Sequence, residues 1–283
     1  MAEIGTLRER VAGRGLVLLG CGKMGSALLE GWLAGGLAPG EISVIEPSPA
    51  PGLAGRGVRL NTALPARPAV VVIAVKPQMM GAALPGIAAL GGGETLFLSI
   101  AAGTTIAQLE AVLGARTPVV RAMPNTPAAI GRGISALCAN AHADAGHRAL
   151  ASALMAAVGE VVDLAGEDQM DAVTAVSGSG PAYVFHLIET LAAAGVAEGL
   201  PAELAMRLAR ATVAGAGALA EATTDGPAQL RVNVTSPGGT TAAALAVLMD
   251  ETRGFPALLR AAVHAAAERG RELGRESGRE QGR

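Results

Sequence analysis

Short apolar runs rich in β-branched residues recur through the first half of the chain at 16–19, 42–45, 70–75, 95–100 and 118–122. They lack a polar face and are separated by stretches of helical character. Such runs predict strands buried on both sides, the pattern of a doubly wound parallel sheet with helices over each face. Runs at 134–138 and 160–164 predict later strands, with a helix over about 145–158 between them. After Ala165 the strand pattern stops. Phe185, Ile188, Leu191 and Ala192 recur at helical spacing. Leu204, Leu208, Ala211 and Gly215 do so again, beyond a stop at Gly199 and a start at Pro201. The chain therefore reads as an α/β domain over 1–164 and an all-α domain over 165–283.

The later helices are dominated by small residues, as at 211–218. Their backbones can approach closely, yet they bury little apolar area alone, so this half is expected to complete its core against a second subunit. From Gly270 the chain repeats Gly-Arg-Glu. Gly274, Gly278 and Gly282 each cost about 1 kcal/mol of helix propensity relative to Ala. Arg271, Arg275 and Arg279 would be like charges at i,i+4. A frayed or disordered end from about residue 270 is expected.

Composition narrows the partners. With 283 residues, a net charge of −2 and a pI near 6.1, the chain has no basic face for nucleic acid. Cys21 and Cys138 are too far apart for a Cys-x-x-Cys unit, and no secretory segment is evident, so a cytoplasmic protein is expected. The longest apolar helical stretches are Ala-rich, such as 187–197, and Glu189 interrupts that one well short of a membrane span. Histidines at 142, 147, 186 and 264 lack metal-ligand spacing, and no metal is expected.

Three groups of residues carry candidate chemistry. Gly20-Cys21-Gly22-Lys23-Met24-Gly25 matches the dinucleotide fingerprint, although 39 glycines in 283 residues would produce roughly 0.7 such matches by chance. Its context strengthens it, because an apolar strand precedes it and a helix follows. Glu46 closes the second run, where a carboxylate accepts from the ribose diol of NADH and repels a 2′-phosphate; Arg56 and Arg59 lie near enough in sequence to complicate that preference. The third, fourth and fifth strands leave through Ala74-Val75-Lys76-Pro77, Ala101-Ala102 and Asn125, all at the carboxyl edge where open α/β sheets bind ligands. The alanines leave room for a nicotinamide ring, and Asn125 can hydrogen-bond an amide or ribose. The third group is 234–241, where Ser236, Gly238, Gly239, Thr240 and Thr241 put hydroxyls and free N–H groups at a helix start. That arrangement suits a carboxylate.

Taken with Arg121-Ala-Met-Pro-Asn-Thr-Pro127 and Ser177-Gly-Ser-Gly-Pro-Ala-Tyr183, these motifs resemble the pyrroline-5-carboxylate reductases in order and spacing from about Leu16 to Leu273. The resemblance implies a Rossmann-like domain followed by a helical dimerisation domain, and the reduction of 1-pyrroline-5-carboxylate to proline by NADPH or NADH. It also implies a cytoplasmic homo-oligomer built from dimers. Carried over by position, cofactor contacts fall on the glycine loop, Asn61, Ala74 to Pro77 and Ala102. Substrate contacts fall on Glu167 and on the loop from Asn233 to Thr241. Two features depart from the family: about fifteen residues precede the first strand with no evident role, and Glu46 stands where many members carry a small hydroxyl residue. No strong acid or base is needed, since a protonated imine is already electrophilic and the reaction depends on alignment. Thr241 is the candidate to orient the ring nitrogen, with Ser236 beside it. Two other readings are a reductase for a related imine or 3-hydroxy acid, and a nucleotide sensor without turnover. The first class commonly uses a lysine in its helical domain, and this chain has none after Lys76.

Overall fold

The computed structural model describes residues 2–281, with side chains from 7 to 276. Eight strands form one sheet in the order β3-β2-β1-β4-β5-β6-β7-β8. They are β1 Leu16–Leu19, β2 Ile42–Ile45, β3 Arg59–Leu60, β4 Val70–Ile73, β5 Leu96–Ser99, β6 Val119–Met123, β7 Gly133–Ala139 and β8 Gly159–Asp163. β1 pairs in parallel with both β2 and β4, so the winding reverses direction on either side of β1. The crevice beyond its carboxyl end is the ligand position of this architecture.

One pairing departs from the parallel expectation: β7 runs antiparallel to β6. The segment between Met123 and Gly133 holds only a short 3-10 turn, Thr126–Ile130. A return in parallel needs a longer crossover. β3, two residues long, was also not anticipated from the apolar pattern.

Alternate residues of the strands face two cores. Leu16, Leu18, Val70, Val72, Leu96 and Leu98 pack in the first. Its other side is supplied by α1 (Ala2–Val11), α2 (Lys23–Ala34) and, between β7 and β8, the helix Ala145–Ala156. Trp32 is fully buried there, and its indole N–H donates to Leu154 O at 2.9 Å. Val17, Leu19, Val71, Ile73 and Phe97 pack in the second core, against α3 (Met80–Ala83) and α4 (Ile106–Leu113). The helix Ala145–Ala156 is α5. Burial of each large apolar side chain contributes about 1.5–3 kcal/mol.

The segment before the first strand has a structural role. Leu7 and Val11 of α1 are buried. Arg10 donates to Gly146 O at 2.9 Å, and Arg14 reaches Pro68 O at 3.1 Å and Arg67 O at 3.3 Å. These contacts tie the start of the chain to the amino-terminal side of the sheet.

The chain divides into two compact units, 1–178 with 266–283, and 179–265. Residues 165–178, beyond the point where the strand pattern stops, are fastened to the sheet of the first unit. Met170 of α6 (Met170–Val173) is buried in the second core, and Glu167 pairs with Arg121 of β6. Within the second unit, α7 (Gly180–Ala197) packs along α8 (Ala202–Ala222) through Ala192, Ala205 and Ala209. A Cβ on Gly195 would come within 3.3 Å of the Ala205 Cβ, so the small residues do allow close approach. α9 (Pro227–Asn233) and α10 (Thr240–Leu248) follow.

The end of the chain corrects the frayed-tail expectation. α11 runs from Phe255 to Gln281, and its part from Ala266 belongs to the first unit. Arg269 pairs with Glu272 and Glu276, Arg271 pairs with Glu268, and Gln108 donates to Gly274 O at 3.0 Å. Opposite charges at i,i+3 and docking offset the glycines. Gly282 and Arg283 lie outside the described residues. Among those described, no helix is long and apolar enough to cross a membrane.

Candidate active site

The glycine loop between β1 and α2 meets three separate demands. Gly20 has φ +90°, a conformation open to glycine, and a Cβ there would lie 2.8 Å from Val75 Cγ1 and 2.9 Å from the Ala74 backbone. A Cβ on Gly25 would lie 2.5 Å from Gly20 O. At Gly22 a Cβ would meet nothing within 4 Å. The first glycine makes the turn, the third packs the helix on the loop, and the second leaves the backbone open, which is the division of labour a bound pyrophosphate requires. α2 has no side-chain cap, so its first N–H groups stand toward that opening. The residues fit a dinucleotide.

The neighbouring strand ends converge on this loop. Gly20 N–H donates to Ile45 O and Ala74 N–H to Leu19 O, both at 2.8 Å. Lys76 is exposed and precedes the short turn Pro77–Met79. After β5, Ala101 is buried and Ala102 half-buried. Asn125, beyond β6, uses its Oδ1 to accept from Ile134 N–H at 3.0 Å and so holds the β6–β7 turn.

Glu46 and Asn61 form an interlocked pair. Asn61 accepts from Glu46 N–H through Oδ1 and donates to Glu46 O through Nδ2, each at 2.9 Å. Asn61 has φ 51°, the only positive value outside glycine among the described residues. Thus fixed, the Glu46 carboxylate accepts from Cys21 N–H at 2.8 Å and from Ser48 N–H at 2.9 Å. Cys21 is buried, and burial is the main cause that pushes its thiol above the ordinary range.

Glu167 takes a structural part that the sequence did not reveal. Its Oε1 accepts from Arg121 at 2.5 Å and from Ile106 N–H, at the start of α4, at 2.8 Å. Arg121 is buried within an otherwise apolar strand, and that interruption at 118–122 was the available signal for a buried ion pair. The pair lines a cavity of about 510 Å³ that also holds Asp168, Asp171, Arg271 and Arg275. Its charges balance, so it offers an anion no net attraction.

In the second unit, the expected anion loop sits where a helix begins. Gly239 is the cap residue of α10, with no side-chain cap, and Gly238 has φ +69°. Gly239 N–H is not free, contrary to expectation: it donates to Ser236 O at 3.1 Å and closes the turn. Ala243 N–H bonds back to Gly239 O at 3.2 Å, so the unpaired donors of the helix start are those that precede it, from Thr240 onward. Thr241 is half-buried and Ser236 exposed. Asn233 accepts from Gln229 at 2.7 Å and donates to Asp225 at 3.4 Å. The π-helical segment Thr174–Gly178 leads into α7, whose first turn contains Pro181 as the motif predicted.

Comparison with known proteins agrees with this geometry. Residues 167–273 match the family model for pyrroline-5-carboxylate reductase dimerisation, and residues 15–103 match that for NADP oxidoreductase, coenzyme F420-dependent. The chain is 42% identical over 256 residues to pyrroline-5-carboxylate reductase of Pseudomonas aeruginosa, covering 88% of this chain and 93% of that one. It is 42% identical over 277 residues to the Mycobacterium leprae reductase, with the same coverage. Among solved structures, the Coxiella burnetii reductase superposes with a TM-score of 0.85 at 36% identity, over 92% of this chain and 98% of that one. The Plasmodium falciparum enzyme with NADP bound gives 0.81 at 31% identity, over 93% and 98%. The glycine loop, the helical unit and these likenesses together show an NAD(P)H-dependent oxidoreductase acting on a C=N bond, and the chain belongs to the pyrroline-5-carboxylate reductase family.

Proposed function

We propose that the reduction of 1-pyrroline-5-carboxylate to proline is carried by two sets of residues, one for each reactant. The cofactor is held by Gly20 to Gly25, with Ala74 to Pro77, Ala101, Ala102 and Asn125 around it and Glu46 with Asn61 at the ribose end. When bound, the reduced nicotinamide supplies the hydride that reduces the imine carbon. The imino acid is held by Asn233 and by Ser236 to Thr241. The N–H groups at the start of α10 bind its carboxylate, and the Ser236 hydroxyl adds a further donor. The Thr241 hydroxyl accepts from the iminium N–H and fixes the orientation of the ring. Glu167 acts as a brace between β6 and α4. The observation that carries this reading is the uncapped start of α10 beside Thr241, in a chain whose glycine loop fits a dinucleotide.

The same reading makes the protein a cytoplasmic homo-oligomer built from dimers. Both cysteines are free thiols. Large apolar side chains of the helical unit stand open in the single chain, among them Phe185 at 58% and Val247 at 72% exposure. A second copy supplies the cover such surfaces need.

Thr241→Ala tests the substrate set. It is expected to lower kcat/KM about a hundredfold while leaving the thermal midpoint and nucleotide binding intact, and Thr241→Ser should recover most of the loss. Wild-type kcat/KM in the alanine variant would remove Thr241 from the mechanism.

A further inference from the structure

We infer that this chain selects NADH over NADPH, and that the Glu46 carboxylate locked to the glycine loop is the selecting group. The inference rests on the assignment of that loop as the cofactor's seat. Glu46 is not a free surface acid. Its backbone is clamped at both N–H and C=O by the Asn61 amide, and its carboxylate is tied to Cys21 N–H and Ser48 N–H. The carboxylate therefore cannot swing away without breaking one bond to the glycine loop and one to the turn after β2.

Each carboxylate oxygen has a second acceptor site beyond the bond it already makes. Two further donors at the end of β2 are what the 2′- and 3′-hydroxyls of an adenosine ribose provide. A 2′-phosphate brings about two negative charges and no donor to the same place. Relief would require a cation aimed at that phosphate. Arg56 is turned instead to Glu30 of α2, at 2.7 Å. Arg59 pairs in the sheet with Ser43, set back from the carboxyl edge that Asn61 reaches. The fixed acid stands at the ribose position, while Arg56 is engaged with Glu30 and Arg59 is set two residues back along the chain from Asn61.

The test is direct titration of the substrate-free protein with NADH and with NADPH, read by nicotinamide fluorescence. NADH is expected to bind at least about tenfold more tightly, a difference of about 1.4 kcal/mol. Glu46→Gln and Glu46→Ser should each narrow the ratio severalfold, chiefly by tightening NADPH. A companion measurement needs no substitution: ADP should displace NADH from the wild-type protein at lower concentration than 2′,5′-ADP. Equal or tighter binding of NADPH by the wild-type protein would overturn the inference alone. An unchanged ratio in variants that keep the wild-type thermal midpoint would remove Glu46 as its cause. Binding of neither nucleotide would overturn the cofactor seat and the inference together.

Discussion

Cys21 illustrates how single residues are committed twice over in this molecule. Its N–H anchors Glu46, its carbonyl accepts from Ser26 Oγ at 3.0 Å, and its side chain is buried against the first core. Burial pushes the thiols of both Cys21 and Cys138 upward, with smaller contributions from Glu46 and Glu167 respectively. Above the ordinary thiol pKa the folded protein then holds more protons than the unfolded chain, so these groups stabilise the fold below that pH and the stability is lost as pH rises through the folded values. The thermal midpoint should fall between pH 8 and pH 10, and less steeply in a Cys21→Ala, Cys138→Ala variant. An equal fall in that variant would contradict the assignment. At this scale the sequence singled out the glycine loop, but not the bonds its residues make. Glu46, Asn61 and Cys21 meet only when β2, β3 and β1 lie side by side, and β3 is too short to announce itself in an apolar pattern.

Elements were legible where each has a periodic signal of its own. The β-branched runs became strands, the residues after Gly22 became α2, and Gly239 became the cap of α10. The antiparallel return of β7 depends on the length of a connection. The helical tail depends on where its glycines dock, which local propensity does not report. Glu167 shows the cost of such a tertiary decision, since one carboxylate oxygen joins β6, α4 and the segment leading to α6. Glu167→Gln keeps an oxygen for Ile106 N–H but removes the charge facing buried Arg121. It should lower stability by about 2 kcal/mol in urea denaturation. A change in kcat/KM without any change in denaturation midpoint would instead make Glu167 a substrate contact.

For the whole molecule, the sequence suggested two domains of different character, and the chain divides into two compact units, with the end of α11 counted in the sheet unit. Long-range pairing such as that of Glu167 with Arg121 is not visible in where a strand pattern stops. The helical unit leaves Leu204, Leu208 and Leu258 exposed, at 43%, 48% and 58%. Light scattering should accordingly give at least a dimer at micromolar concentration, and Leu208→Glu should shift it toward smaller species. A wild-type monomer would contradict that arrangement. The decisive measurement supplies racemic 1-pyrroline-5-carboxylate with NADH or NADPH and follows loss of the reduced nicotinamide absorbance. Rapid oxidation that forms proline, faster with NADH at low cofactor concentration, is the predicted result. No oxidation with either cofactor, in protein shown to bind one of them, would contradict it.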